Sequence, residues 1–256
     1  GPVVHNPVRS RADVEALRPI DPERDLAHVL ETIRILDREL SVPLISFAGA
    51  PFTIASYLIE GRPSKTYIRT KTMMYAEPGL WRALMDKLAD MAIAYVKAQF
   101  ASGAKAVQLF DSWAGALSPE DYRVYVLPAV ERIFAELAEH PQPKIYFPGV
   151  ASGELLPLLR GVRADVIGLD WRVSIREGRR RLGPGYAVQG NLDPYVLTAP
   201  EALIEARAAA AIDEGMEEAG YIFNMGHGLF PEAPLDKLKR LTEFVQRYSA
   251  ERGAGR

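Results

Sequence analysis

Six short segments gather the residue types that could do chemistry: Phe47 to Phe52 (FAGAPF), Phe110 to Gly115 (FDSWAG), Phe147 to Gly153 (FPGVASG), Leu169 to Ser174 (LDWRVS), Gln189 to Pro194 (QGNLDP) and Asn224 to Pro231 (NMGHGLFP). All six read as loops, and all carry polar or aromatic groups. His227 stands out because Gly226 and Gly228 flank it, leaving the backbone free for close approach of a ligand while the imidazole donates to an acidic group. The alternative is a loop histidine bonded to nearby carbonyls. Asp111, Asp170 and Asp193 supply acids in these loops, and the plainer reading is that each orders loop amides or pairs with an arginine. Cysteine is absent, which removes thiolate nucleophiles, disulfides and sulfur-based zinc sites. A metal would depend on His5, His28, His140 and His227, which fall on unrelated segments, so no metal is expected.

These loops need elements to position them, and short β-branched runs alternate with long amphipathic stretches, the pattern of parallel strands joined by crossover helices. The spacing of Leu26, Val29, Leu30, Ile33, Leu36 and Leu40 predicts a helix over 24–40, followed by a buried strand over 42–48. A helix over 79–102 ends at Gly103. Ser118, Pro119, Glu120 and Asp121 form a helix start for a segment running to about Glu139. Further strands are expected at 106–110, 144–147, 165–170, 186–189 and 221–224. The connections between them carry 155–159, 175–182 and 202–212, the last with capping-box spacing from Thr198 to Glu201, and 235–248 forms the last helix. Six strands fit an open doubly wound sheet, but no G-x-G-x-x-G follows a strand, and a closed barrel needs eight. In a barrel all six loops would converge on one mouth.

The chain has 256 residues, 48% of them hydrophobic and 25% charged, which suits one globular domain over 1–256. With 31 basic and 33 acidic residues the net charge is −2, so no overall positive field gathers nucleic acid or an anionic membrane. No apolar run is long enough for a membrane span, and the start has no signal-like segment, so a cytoplasmic protein is expected.

The loop motifs carry a resemblance. FAGAPFTIASYLIEG (47–61), LFDSWAG (109–115), IGLDWRVSI (167–175), QGNLDP (189–194) and NMGHGLFP (224–231) occur in the order and near the spacing of the uroporphyrinogen decarboxylase family, across nearly the whole chain. The resemblance implies an α/β fold, a (β/α)₈ TIM-type barrel of which about six βα units are visible here. It also implies a homodimer and a cofactor-free carboxy-lyase of haem and porphyrin biosynthesis. The implied reaction converts the four acetate side chains of uroporphyrinogen III to methyls, giving coproporphyrinogen III and carbon dioxide. Family members carry, ahead of the aligned region, an arginine-rich segment and a strand ending in the aspartate that stabilises the protonated pyrrole. Neither is found here, so the catalytic acid is expected outside these residues. Two βα units amount to roughly 60 to 90 residues. The chain therefore resembles the C-terminal three-quarters of such an enzyme, Gly1-Pro2 fitting family sequence just upstream of the first helix. Alone it is expected to lack useful activity and to fold poorly, with exposed sheet edges.

Carried over residue by residue, the resemblance assigns substrate-binding roles to Tyr57 and Ser112, whose positions meet substrate carboxylates, to His227, and to the cleft-lining Phe47 and Phe110. Core packing remains the alternative for both phenylalanines and for Tyr57, and a turn or cap role for Ser112. Uroporphyrinogen carries eight carboxylates, which makes Arg62 and Lys65 candidates for charge pairing, whereas Arg176, Arg179, Arg180 and Arg181 read as a solvated or acid-pairing helix face. Two rivals differ in kind. Barrel methyltransferases activate a thiol on zinc and need His and Cys ligands; a truncated, non-catalytic fragment would bind the tetrapyrrole without turnover.

Overall fold

The computed structural model describes residues 3–254, so Gly1-Pro2 lie outside the described residues. Three helices, α1 (Arg11–Ala16), α2 (Pro22–Asp25) and α3 (Ala27–Glu39), lead into strand β1 (Ile45–Gly49). Helices α4 (Pro51–Glu60), α5 (Ile68–Ala76) and α6 (Pro78–Ala101) return the chain to β2 (Ala106–Phe110). Then come α7 (Pro119–Tyr125), α8 (Leu127–Glu136), β3 (Lys144–Phe147), a 3₁₀ segment at Leu156–Gly161, and β4 (Val166–Gly168). The chain continues through α9 (Ile175–Leu182), β5 (Ala187–Leu192), α10 (Glu201–Gly215), β6 (Tyr221–Met225) and α11 (Leu235–Ala254). All strand pairs are parallel and the sheet order is β1-β2-β3-β4-β5-β6, the order of successive βα units in a barrel wall. Parallel neighbours require the chain to return after each strand, so every C-terminal strand end opens on the same side.

The longest helix, α6, packs its Leu80, Leu84, Leu88, Ala92 and Val96 stripe against the sheet and neighbouring helices. Each such leucine contributes about 1.5–3 kcal/mol by leaving water. Trp81 on the same helix is buried and donates its indole N–H to the Tyr125 carbonyl, which fixes α7 against α6. Gly103 follows the C-cap Ser102 at φ +110, the left-handed turn expected there.

Four expectations change. The helix over 24–40 is divided at Leu26, whose backbone leaves the helical region while the Asp25 carboxylate turns to Arg18, Arg24 and the Asp21 N–H; Leu40 is exposed. The strand before Gly49 is buried on one face only: Ser46 and Ala48 point into packing, while Ile45 and Phe47 are 45% and 67% exposed. The helix from Ser118 to about Glu139 breaks at Val126, because Pro128 cannot continue the ladder and restarts a helix as an early residue of α8. Thr198 does not cap α10. Its hydroxyl bonds back to the Tyr195 carbonyl and closes a 3₁₀ turn over Pro194–Thr198. No helix among the described residues is long and apolar enough to cross a membrane.

Candidate active site

Register puts the aromatic residues at one end. Phe47 pairs with Gln108, and Phe110 with Phe147, across neighbouring parallel strands. Side chains at paired positions share a face, so these rings line one side of the sheet. Phe47 and Phe110 meet edge to face at 6.0 Å between ring centroids, Phe110 and Phe147 repeat that contact at 6.0 Å, and the His227 ring follows at 6.1 Å from Phe147. This edge-to-face geometry of the three phenylalanines suits aromatic quadrupoles, so they support one another, while the exposed His227 ring lies tilted by 58° against Phe147. Three of the five sequence-predicted residues, Phe47, Phe110 and His227, thus lie along one line, joined by Phe147. Phe47 is exposed among the described residues, on the edge strand of the sheet.

Behind the row lies a cleft of about 190 Å³, lined by Phe110, Phe147, Gln108, Gln189, Asn224 and His227 among others. Its floor is polar. Gln189 donates to Gln108 at 3.0 Å, and both amides are buried. Hollows of about 410 and 760 Å³ lie between outer helices and gather no such set of groups.

On a second flank Tyr57 packs on Trp113, the residue after Ser112. Tyr57, on the second turn of α4, lies against the Trp113 ring at 4.1 Å, and Tyr67 approaches Trp113 at 5.4 Å. Burial pushes the Tyr67 hydroxyl up to about 12, so it stays protonated. Gly149 makes this arrangement possible: at φ +92 it lies so close to the loop after β2 that a Cβ would sit 2.6 Å from the carbonyl oxygens of Asp111 and Ser112. Arg62 and Lys65 are exposed on the turn after α4, which is held by the Glu60 carboxylate accepting from the Thr70 N–H and hydroxyl.

The three loop aspartates all order backbone. Asp111 accepts from the Thr53 N–H, Asp170 from the N–H groups of Ala151 and Arg172, and Asp193 from the Tyr195 N–H. Asp170 thereby ties the loop after β3 to the loop after β4. Asn191 extends the tie by donating to the Asp170 and Val173 carbonyls. The arginines of α9 pair with acids: Arg176 with Glu217, Arg180 with Glu177, and Arg181 with Glu177 and Glu154, while Arg179 donates to backbone carbonyls. Among the described residues no three His, Asp or Glu side chains cluster as a metal site would require.

Solved structures share this architecture. A methyltransferase from Methanosarcina mazei superposes with a TM-score of 0.75 at 20% identity, over 90% of this chain and 70% of its own. A B12-independent methionine synthase from Shewanella gives 0.64 at 11% identity, over 93% of this chain and 68% of its own. At such identities the likeness is one of fold, a partial TIM-type barrel here. Sequence relatives say more. A protein of Geobacillus thermodenitrificans named uroporphyrinogen decarboxylase is 59% identical over 251 residues, and one of Halalkalibacterium halodurans with the same name is 56% identical over 250; each alignment covers 98% of this chain and 72% of the relative. The model of the family described as uroporphyrinogen decarboxylase (URO-D) matches residues 1–248. By these matches the chain belongs to the uroporphyrinogen decarboxylase family.

Proposed function

We propose that this chain is the part of a uroporphyrinogen decarboxylase that builds most of the barrel mouth, acting in the cofactor-free, stepwise loss of carbon dioxide from the four acetates of uroporphyrinogen III. The observation that carries this reading is the Phe47–Phe110–Phe147–His227 row at the strand ends, in a chain more than half identical to relatives bearing that name. The names of those relatives favour catalysis over a fragment that binds without turnover.

Losing carbon dioxide from a pyrrole acetate leaves an electron pair, which the ring accepts if it is first protonated on carbon. The protonated ring is cationic, and a carboxylate beside its nitrogens in a water-poor site stabilises it. Asp111, Asp170 and Asp193 are engaged with backbone amides, so none is assigned that work. In our reading the aromatic row lines the face against which the macrocycle lies, the Tyr57 hydroxyl and Ser112 donate to substrate carboxylates, and His227 donates to a further acidic group. Arg62 and Lys65 add positive charge at the rim. The homodimer and the cytoplasmic location implied by the family belong to the same proposal, and sedimentation equilibrium tests the first.

The decisive experiment is anaerobic incubation of a full-length protein, carrying the family's arginine-rich segment and aspartate together with these residues, with uroporphyrinogen III, the products being oxidised and separated by carboxylate number. Hepta-, hexa-, penta- and tetracarboxylic porphyrins appearing in sequence support the reading. Porphyrin bound tightly with no product of fewer carboxylates would replace it with the binding-only alternative.

A further inference from the structure

Asp111 is fully buried, yet none of its hydrogen-bond partners among the described residues is a lysine, arginine or histidine. Its Oδ1 accepts from the backbone N–H and the hydroxyl of Thr53, both at 2.9 Å, and its Oδ2 accepts from the Tyr146 hydroxyl at 3.1 Å. Tyr146 and Tyr122 share a further bond at 2.8 Å. Thr53 is the third residue of α4, and its N–H is one of the donors a helix start leaves unpaired. Ala50, the N-cap, carries no side-chain acceptor, so α4 is capped from another element, by the aspartate that follows β2. The Thr53 hydroxyl in turn accepts from the Trp113 N–H at 3.3 Å. One turn further along α4, on the same face, is Tyr57, lying against that Trp113 ring.

We propose that Asp111 is a positioning residue: by fastening the first turn of α4 to the loop after β2, it sets the packing of Tyr57 on Trp113 and the separation at which Tyr57 and Ser112 meet two substrate carboxylates. This rests on the reading of Tyr57 and Ser112 as substrate contacts. The groups facing Asp111 are Thr53 from α4 and Tyr146 from β3, with Tyr122 of α7 behind Tyr146; Glu131 of α8 acts on Tyr122. Burial without a cation pushes the Asp111 carboxyl up to about 6, opposed by the bonds from Thr53 and Tyr146.

Two substitutions separate fastening from charge. Asp111→Ala removes the acceptor. Asp111→Asn keeps an oxygen for Thr53, and its amide donates to the Tyr146 hydroxyl, which turns to donate to Tyr122. In the full chain, D111A should raise KM for uroporphyrinogen by on the order of tenfold, the scale of a misplaced hydrogen bond to a charged group, with a smaller effect on kcat. D111N should restore KM to within about threefold. Independently of turnover, the emission difference between each protein and its Trp113→Phe counterpart should shift in D111A and return in D111N. A folded D111A with unchanged KM and unchanged Trp113 emission overturns the proposal, as does a loss confined to kcat. Should D111A fail to melt cooperatively, Thr53→Val replaces it, removing only the hydroxyl between Asp111 and the Trp113 amide; unchanged emission and KM there also overturn it. Absence of turnover in a full-length protein that carries the family's aspartate would count against the decarboxylase reading alone, because Trp113 emission still reports the fastening.

Discussion

Replacing Asp111 by asparagine should stabilise the protein above pH 6 relative to acid conditions, by an amount the burial of its carboxyl sets. The group moves from an ordinary 3.8 to about 6 on folding, close to two units. At about 1.36 kcal/mol per unit, holding the ionised form in the folded protein costs about 3 kcal/mol. The sign follows from proton counting. Between these two values the folded state holds the proton and the unfolded state does not, so stability falls as pH rises through this window and is flat above it. An amide cannot ionise and escapes the loss. Urea unfolding of wild type and D111N at pH 4, 5 and 8 isolates the effect, because titration of other groups cancels between the two proteins. The difference, D111N minus wild type, should grow by about 1 kcal/mol from pH 5 to 8, and by about 2 kcal/mol from pH 4. Any fixed effect of the amide on Thr53 or Tyr146 is the same at each pH. A difference that does not change with pH, or that shrinks as pH rises, would refute the assignment of an uncompensated buried carboxyl at this position.

Three further outcomes follow from the site. His227→Ala should lower kcat/KM for uroporphyrinogen by about 10- to 100-fold, the loss of a hydrogen bond to a charged group. Since His227 is exposed, its melting temperature should stay within about 2 °C of wild type. Tyr57→Phe keeps the ring against Trp113 and removes the hydroxyl, and should reduce kcat/KM about tenfold with unchanged Trp113 emission. Gly149→Ala combines a left-handed backbone with a methyl pressed on two carbonyl oxygens, and should cost more than about 3 kcal/mol in urea unfolding.

The alternation of elements was legible because each strand is a short apolar run between glycine-rich or proline-rich loops, and β2 and β3 match the expected 106–110 and 144–147. Long helices were legible from their stripes, but the breaks at Leu26 and Val126 depend on single residues in an otherwise helical pattern. Phe47, Phe110 and His227 come together because loop composition marked the strand ends. Phe147 was passed over although FPG ends a strand in the same way as the other motifs. The amide floor also left a signal: Ala-Val-Gln recurs at 106–108 and 187–189, a polar residue in the middle of two apolar strands. What no spacing reveals is that Asp111 caps a helix fifty-eight residues away in sequence, since the partner is set by the packing of β2 beside β1.

Among the described residues there are two apolar centres of unequal size. The larger runs through α3 to β5, whereas Leu192, Leu197, Ile204, Ala208 and Leu241 form a separate small one beneath β6 and α11. Segments with few buried apolar groups open at lower free energy than the whole. The region from the end of β5 to α11, which this small centre holds, is therefore expected to open first, and His227, just after β6, lies within it. On the substrate-binding role proposed for His227, the site then has a stability of its own, smaller than that of the main core, and warming should weaken substrate binding before the main core melts.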